Sequence, residues 1–209
     1  ADYVARVAAF CREKDILLIV DEVQTGVGRT GRFLACEHFG LKPDIVTLAK
    51  GLGGGLPIGA VVMNQKVAAH MGPGSHGSTF GGNPVCCAGA LAVLDTMDEA
   101  FLAQVRERAV QLRAGLAALD GITLNSPADA VGEIVNFSTN CINSQTFINY
   151  LNTRAVYVSG GSACDKGEPS HTLLAMGCGD LTVRTALRVS LCADNTCLLY
   201  TSPSPRDGL

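Results

Sequence analysis

The sequence predicts an α/β protein, and three observations lead to this fold class. First, short apolar runs recur at residues 16–20, 45–49 and 58–63. Second, these runs lack the polar alternation of a half-exposed strand. Such runs are typical of strands that are buried on both faces of a mainly parallel sheet. Third, loops and helix-patterned segments separate the first two runs, as the connections between parallel strands require. We therefore expect a sheet covered by helices.

The first elements also indicate where a site would lie. Apolar residues share one face over residues 4–11, which predicts a helix at the start of the chain. The first apolar run ends at Asp21 and the second ends at Lys50, which a glycine-rich turn follows at 51–55. Because strand carboxyl ends form the usual ligand edge of an α/β sheet, we expect Asp21 and Lys50 on that edge.

The later elements alternate between helix and strand patterns and predict a smaller α+β domain from residue 121 to residue 196. Asp120-Gly121 ends the second of two helix-patterned stretches that precede it. The helices are expected at 83–94, 100–119, 145–154 and 171–176, and the strands at 134–137, 156–158 and 186–191.

Composition and charge exclude several classes of function. The 209 residues are 47% hydrophobic and 17% charged and include 24 glycines, which describes a compact globular chain. A net charge of −3 without a basic run predicts no nucleic-acid partner. The apolar runs are of strand length, so we expect no membrane span.

Nine cysteines are present, and no pair has the C-x-x-C spacing that zinc sites usually need. We therefore expect no metal site. An odd number of cysteines without a signal-like start fits reduced thiols in the cytoplasm. The chain begins without Met and inside a helix pattern, so we also expect it to be part of something longer.

Considered alone, the polar residues at the strand ends can be explained by ordinary structural roles. A lysine before glycines is commonly a solvated loop end, and an Asp-Glu pair commonly caps a strand. The glycines at 51–55 lack the G-x-x-x-x-G-K-[ST] pattern of a phosphate loop. Close approach of the backbone around Lys50 is the expected use of these glycines.

Two stretches together resemble the class III aminotransferases, which use pyridoxal 5′-phosphate (PLP). They are LLIVDEVQTGVGRTGRFLACEHFGLKPDIVTLAKGLGGGLPIGAVV at 17–62 and HGSTFGGNPVCCAGALAVLDT at 76–96. The resemblance is to the acetylornithine and ornithine type of arginine biosynthesis. It implies a partial fold type I large domain, similar to that of aspartate aminotransferase, over 1–118. It also implies a homodimer that transfers an amino group from a small amino acid to 2-oxoglutarate, a 2-oxo acid.

The resemblance assigns roles to residues at the strand ends. It implies that Lys50 is the catalytic lysine, which binds the PLP aldehyde through a Schiff base. We expect partial burial at a strand end to favour its neutral amine. The resemblance implies that Asp21 keeps the pyridine nitrogen protonated, that Gln24 binds the phenolic oxygen and that Val23 packs against the ring.

Ser78 and Thr79 match the position where a hydroxyl of one subunit reaches the PLP phosphate of the other. Without the resemblance, these two residues would be about as well explained as turn residues. If the resemblance holds, the cofactor site is complete only in a dimer.

The second half resembles another PLP family, the cysteine desulfurases, over 119–196. The resemblance rests on NSPADAVGEIVNFS, AVYVSGGSACDKGEPSHTLLAMG and ALRVSLCADNT. It implies that Cys164 is a catalytic nucleophile and that Arg188 binds the substrate carboxylate. The ordinary alternatives are an inert loop thiol and a charge at a strand edge.

The two resemblances predict a joined chain, with the junction between 106 and 123. Residues 197–207, CLLYTSPSPRD, resemble a translated adapter from sequencing-library preparation. We therefore expect 197–209 to be a non-native disordered tail. Three functions stay open at this point: an aminotransferase, a desulfurase that forms a persulfide on Cys164, and an inactive fragment.

Overall fold

The structure is a computed structural model, and it describes residues 2–160, 170–192 and 195. The chain divides into two compact units, Ala1–Ala103 and Gln104–Leu209. Cys164 and the segment 197–209 lie outside the described residues. No helix in the described ranges is long and apolar enough to cross a membrane.

The first unit combines helices with a three-stranded sheet. Its strands are β1 (Ile19–Asp21), β2 (Ile45–Leu48) and β3 (Ala60–Met63). Its helices are α1 (Asp2–Glu13), α2 (Gln65–Ala68) and α3 (Pro84–Thr96), and α4 (Glu99–Ala117) crosses into the second unit. Two 3₁₀ helices span Ala35–Phe39 and Lys50–Gly53.

The sheet is mixed rather than parallel throughout. Strand β1 pairs with β2 in parallel, with Asp21 opposite Thr47. Strand β3 pairs with β2 antiparallel, with Ala60 opposite Leu48. The connection from β2 to β3 is too short for the crossover that a parallel return needs, so the chain reverses at the glycine-rich turn. The expectation of a mainly parallel sheet is therefore met by β1 and β2 but not by β3.

Burial in this sheet is concentrated on its middle strand. Val46 and Leu48 of β2 belong to a buried cluster with Val27, Leu52 and Ala90. In contrast, Ile19 on β1 is 57% exposed, and Val61 and Val62 on β3 are also exposed. The prediction of strands buried on both faces is wrong for β1 and β3, whose residues are all exposed or half-buried.

Helix α3 packs closely on the 3₁₀ helix that Lys50 begins. A Cβ atom at Gly89 would lie 2.6 Å from Leu56 Cδ1 and 3.2 Å from the carbonyl oxygen of Gly53. A Cβ atom at Gly53 would lie 2.8 Å from Ile58 Cγ2. The close backbone approach that was expected around Lys50 is thus confirmed at Gly53.

The second unit contains an antiparallel sheet and short helices. The sheet order is β4-β5-β6, and both pairs are antiparallel. Its strands are β4 (Thr123–Leu124), β5 (Ile134–Ser138) and β6 (Ala186–Ser190), and its helices are α5 (Ser144–Asn152), α6 (His171–Ala175) and α7 (Asp180–Arg184).

Helices and strands occur in both units, as the predicted α/β class requires, but two details differ. Residues 156–158 form no strand; only Ser159 bridges to Arg188, and Tyr157 is 80% exposed. The compact units meet at 103/104, whereas the predicted family boundary lies at 118/119. The boundary between two compact units does not show where one family ends and another begins. The family boundary at 118/119 therefore stays a prediction.

Candidate functional site

Asp21 lies at the carboxyl end of β1, where its side chain is held through a single oxygen. Asp21 Oδ1 accepts hydrogen bonds from the backbone N–H of Val23 at 2.9 Å and from Thr47 Oγ1 at 3.1 Å. Thr47 is the residue opposite Asp21 on β2. Asp21 Oδ2 has no partner among the described residues, so it is available to a donor from outside the chain.

Lys50 and Gln24 meet at the same edge of the sheet. The Lys50 ammonium donates a hydrogen bond to Gln24 Oε1. Lys50 has a φ of 43°, a left-handed conformation that is uncommon for residues other than glycine and is found frequently at functional sites. Its side chain is exposed. The expected partial burial of Lys50 is therefore not provided by the described residues of the first unit, because no element covers the strand end.

The loop after β1 brings the predicted residues together. Val23 and Gln24 follow Asp21 along it, and Gln24 contacts Lys50, which begins the 3₁₀ helix after β2. Val23 is half-buried. An amine, a carboxylate with one free oxygen and an amide therefore share one edge of the sheet.

Glu22, which the sequence reasoning passed over, holds this loop in place. Its side chain is fully buried at 0% exposure and accepts hydrogen bonds from Thr25 Oγ1 and from the backbone N–H of Cys36, the latter at 2.8 Å. Burial raises the pKa of Glu22, but hydrogen bonds from Thr25, Cys36 and Ala35 outweigh it and leave the pKa below the ordinary 4.5. Strand alternation was the available signal, because it turns Glu22 inward where Asp21 faces out.

The buried carboxylate also affects the neighbouring thiol. Burial, followed by the negative charge of Glu22, raises the pKa of Cys36 to about 11. The Cys36 side chain is only 4% exposed. Cys36 is therefore protonated at neutral pH. It lies between β1 and β2 in the chain, and its backbone N–H holds the Glu22 carboxylate.

Ser78 and Thr79 lie in an exposed turn, where the N–H of Gly81 donates to the carbonyl of Ser78 at 3.2 Å. No hydrogen bond joins either side chain to Lys50, Asp21 or Gln24 in the described part of the first unit. The role of these hydroxyls toward the phosphate of a partner subunit stays a prediction.

In the second unit, Arg188 lies on β6 directly opposite Asn136 of β5. Arg188 Nε is buried and has no hydrogen-bond partner among the described residues. Buried polar atoms in native proteins are nearly always paired, so an unpaired guanidinium nitrogen indicates a missing acceptor. Cys164, the other residue predicted for this half, lies outside the described ranges.

The chain matches a known family over most of its length. The family model described as "Aminotransferase class-III" matches residues 1–158. The acetylornithine aminotransferase of Aquifex aeolicus is 57% identical over 106 residues, which cover 51% of this chain and 28% of that protein. The acetylornithine aminotransferase of Haemophilus ducreyi is 47% identical over 148 residues, which cover 67% of this chain and 38% of that protein. The chain thus spans well under half the length of these relatives.

Solved structures give the same similarity. The ornithine aminotransferase of Toxoplasma gondii ME49 aligns with a TM-score of 0.66 at 30% identity, covering 94% of this chain and 43% of that chain. The ornithine aminotransferase of Plasmodium yoelii aligns with a TM-score of 0.62 at 26% identity, covering 93% of this chain and 48% of that chain. The family match runs to residue 158, past the predicted junction, and none of these proteins is a cysteine desulfurase.

Proposed function

Because this chain belongs to the class III aminotransferases, we propose that it works as part of a PLP-dependent aminotransferase. The proposed amino donor is acetylornithine or ornithine and the proposed acceptor is 2-oxoglutarate. The names of the relatives support this choice of donor. The protein would act as a cytoplasmic homodimer, in keeping with the predictions made from the sequence.

One observation carries the proposal: Asp21 keeps a free oxygen at the same sheet edge where Lys50 contacts Gln24. PLP presents an aldehyde, a phenolic oxygen and a ring nitrogen, and when bound it supplies an electron sink for the bond-breaking at the substrate. An amine, an amide and a carboxylate are the side chains that suit these three groups. The residues at this edge therefore fit the cofactor.

Each side chain has a distinct task in the proposed mechanism. Lys50 would hold the cofactor through its aldehyde group, and its Nζ would carry the proton that leaves the substrate α-carbon. Asp21, through its free Oδ2, would hold the ring nitrogen of the cofactor and favour its charged form. Gln24 uses Oε1 for Lys50, so its Nε2 remains free to donate to the phenolic oxygen.

The remaining predicted residues bind the ends of the ligands. Val23 would pack against the ring, and Ser78 and Thr79 would donate to the phosphate held by the partner subunit. Arg188, to which the desulfurase resemblance assigns the substrate carboxylate, would offer a planar fork of donors suited to that group. The unpaired Arg188 Nε supports this last assignment.

No observation on the described residues favours the desulfurase reaction. The desulfurase resemblance over 119–196, the junction near 106–123 and the adapter-like origin of 197–207 stay predictions. Their test is chemical: release of sulfide from cysteine that disappears in Cys164→Ser would favour the desulfurase.

The proposed cofactor site is tested by covalent trapping. The full chain is incubated with PLP and reduced with borohydride, and the modified peptide is identified by mass spectrometry. We expect the label on Lys50, loss of that label in Lys50→Ala, and no change in Lys42→Ala, which removes another exposed lysine of the first unit. Equal labelling of several lysines, with no effect of Lys50→Ala, would contradict the proposal.

Turnover is tested separately. Glutamate formed from acetylornithine and 2-oxoglutarate, and absent in Lys50→Ala, would establish the aminotransferase. Specific labelling of Lys50 without any glutamate would show that this chain is an inactive fragment of such an enzyme.

A further inference from the structure

A large apolar cavity lies within the second unit, and none of the residues proposed for the cofactor lines it. Its volume is about 730 Å³. Leu112 and Leu116 of α4 form one wall, and Phe137 of β5 and Val189 of β6 form another. Helix α5 and the segment 155–158 complete the lining. Two helices and the sheet therefore enclose an apolar space that no described side chain fills.

The apolar surface of this cavity is partly open to solvent. Among the lining residues, Leu119 is 57% exposed and Ile142 is 41% exposed. Packed proteins contain few voids larger than a water molecule, and an exposed apolar surface commonly marks a binding site. Small-molecule sites have volumes of roughly 300–1,000 Å³. The cavity therefore has the size and lining of a site for a small apolar molecule.

The polar groups of the lining determine which head group such a molecule would carry. Asn140 Nδ2 donates to the carbonyl oxygen of Gly121 at 3.0 Å and to Thr123 Oγ1 at 2.8 Å. The hydroxyl of Thr139 is also paired within the chain. Asp120, in contrast, is the one charged residue of the lining, and no described residue donates to its exposed carboxylate. The cavity thus combines apolar walls with one unpaired negative charge.

We propose that this cavity binds a hydrophobic amine, a molecule with an apolar body and one positively charged head. The apolar walls surround the body, and the Asp120 carboxylate accepts a hydrogen bond from the ammonium head. A carboxylate head is disfavoured by the like charge of Asp120, and a neutral head forms no ion pair. The inference goes beyond the proposed function, because aminotransfer requires no such ligand.

The test uses three ligands that share one apolar chain and differ in charge: octylamine, octanol and octanoate. Binding to the full chain is measured by displacement of a neutral fluorescent probe, N-phenyl-1-naphthylamine. Because an exposed ion pair contributes little, octylamine should bind roughly two- to fivefold more tightly than octanol, and octanoate more weakly than both. The preference for the amine should shrink at high salt, which screens exposed charges.

The length of the amine tests the apolar walls. Each CH₂ group added to the amine should tighten binding about fourfold while the cavity has room for it.

Asp120→Ala tests the charge. This substitution should remove the preference for octylamine over octanol and leave the affinity for octanol unchanged. Asp129→Ala is the matched control, because Asp129 is an exposed aspartate of the same unit that does not line the cavity. The control should retain the preference for the amine.

Leu116→Trp tests the location. Its larger side chain fills part of the cavity and should weaken the binding of all three ligands. Val110→Trp, at an exposed position of α4 outside the lining, should not weaken it. The unmutated chain gives a second test: saturating octanol should slow the alkylation of Cys141, which lines the cavity, but not that of the exposed Cys192.

Each outcome decides for or against the inference. An amine preference that depends on Asp120, together with protection of Cys141, supports it. Equal affinities for the three ligands, an amine preference that persists in Asp120→Ala, or an unprotected Cys141 overturns it. Absence of probe displacement overturns it as well, and self-association that Leu116→Trp abolishes would then assign the cavity to a second copy of the chain. None of these measurements involves Lys50, so the proposed function is judged separately.

Discussion

The buried carboxylate of Glu22 accepts a hydrogen bond from the backbone N–H of Cys36 across 2.8 Å. This bond joins the end of β1 to the 3₁₀ helix Ala35–Phe39 and closes the loop that carries Val23 and Gln24. Within the same loop, the N–H of Gly26 donates to the carbonyl of Glu22 at 2.8 Å. One residue therefore fixes both ends of the segment that presents the proposed cofactor contacts.

The first prediction concerns acid stability. The folded-state pKa of Glu22 lies below the ordinary 4.5, so its ionised form stabilises the fold above that pH, and this contribution is lost as pH falls through the folded-state pKa. Glu22→Gln should lower the free energy of unfolding at pH 7 by about 1.5–3 kcal/mol, the value of hydrogen bonds to a charged group. The substitution should also flatten the dependence of the free energy of unfolding on pH below 4.5.

Urea unfolding of the full chain between pH 3 and pH 7 measures both effects. Glu13→Gln, which changes an exposed carboxylate at the end of α1, serves as the matched control and should remain within about 0.5 kcal/mol of the parent. Equal pH dependence in Glu22→Gln and the parent would count against a charged Glu22.

The second prediction concerns the reactivity of Cys36. Because burial and the charge of Glu22 raise its pKa to about 11, alkylation by iodoacetamide at pH 8 should be much slower at Cys36 than at the exposed Cys141 and Cys192. The rate should rise steeply only as pH approaches 11. Peptide mass spectrometry after timed quenching gives the rate for each cysteine.

The same experiment tests the electrostatic cause. In Glu22→Gln, the pKa of Cys36 should fall, because the negative charge beside the thiol is removed. An alkylation profile of Cys36 that is identical in parent and variant would show that burial alone acts on the thiol.

The third prediction compares two helical glycines. Gly89→Ala places a methyl group within 2.6 Å of Leu56 Cδ1 and 3.2 Å of the Gly53 carbonyl oxygen. Gly115 in α4 has nothing within 4 Å of its added Cβ. Overpacking costs about 1–3 kcal/mol, whereas alanine in a helix gains about 1 kcal/mol over glycine.

We therefore expect Gly89→Ala to lower the thermal midpoint of unfolding and Gly115→Ala to raise it. Circular dichroism melts of both variants under identical conditions provide the measurement. Stabilisation of similar size in both would mean that α3 is not packed tightly against the 3₁₀ helix of Lys50.

The fourth prediction concerns the orientation of Asp21. Thr47→Val keeps the side-chain shape but removes the hydrogen bond to Asp21 Oδ1, which spans 3.1 Å. A typical hydrogen bond contributes about 0.5–1.5 kcal/mol, so the Kd of PLP should rise roughly two- to tenfold while the fold is retained. Titration followed by the absorbance of bound PLP measures the affinity.

Thr30→Val is the control, because Thr30 contacts His38 rather than Asp21. If both variants bind PLP as the parent does, the Thr47 contact has no part in holding Asp21 for the cofactor.

The sequence predicted the helices better than the strands, and the reason is local. Asn83 Oδ1 accepts from the N–H groups of Val85 and Cys86, so the start of α3 is determined by adjacent residues and by the Pro84 that follows. Asn143 begins α5 in the same way. Strand β1, in contrast, was expected at 16–20 and lies at Ile19–Asp21, because its extent depends on pairing with β2, 26 residues later.

The candidate site shows the same division. Motif spacing singled out Asp21, Gln24 and Lys50, and the parallel pairing of β1 with β2 brings their strand ends together. Motif spacing gave no indication that Lys50 would be exposed, since the exposure of a side chain at a strand end depends on which other elements cover it. Nor did it show which oxygen of Asp21 stays free, because the partner Thr47 comes from another strand.

By itself, the sequence determined the class III family and the class of fold, and it predicted the candidate site residues, because these depend on residue types in a fixed order along the chain. Tertiary structure alone decided the antiparallel return of β3, the burial of Glu22 and which oxygen of Asp21 stays free. Each of these is set by hydrogen bonds between residues that are distant in the chain, such as Thr47 with Asp21, 26 positions apart. Local patterns contain no information about such distant partners.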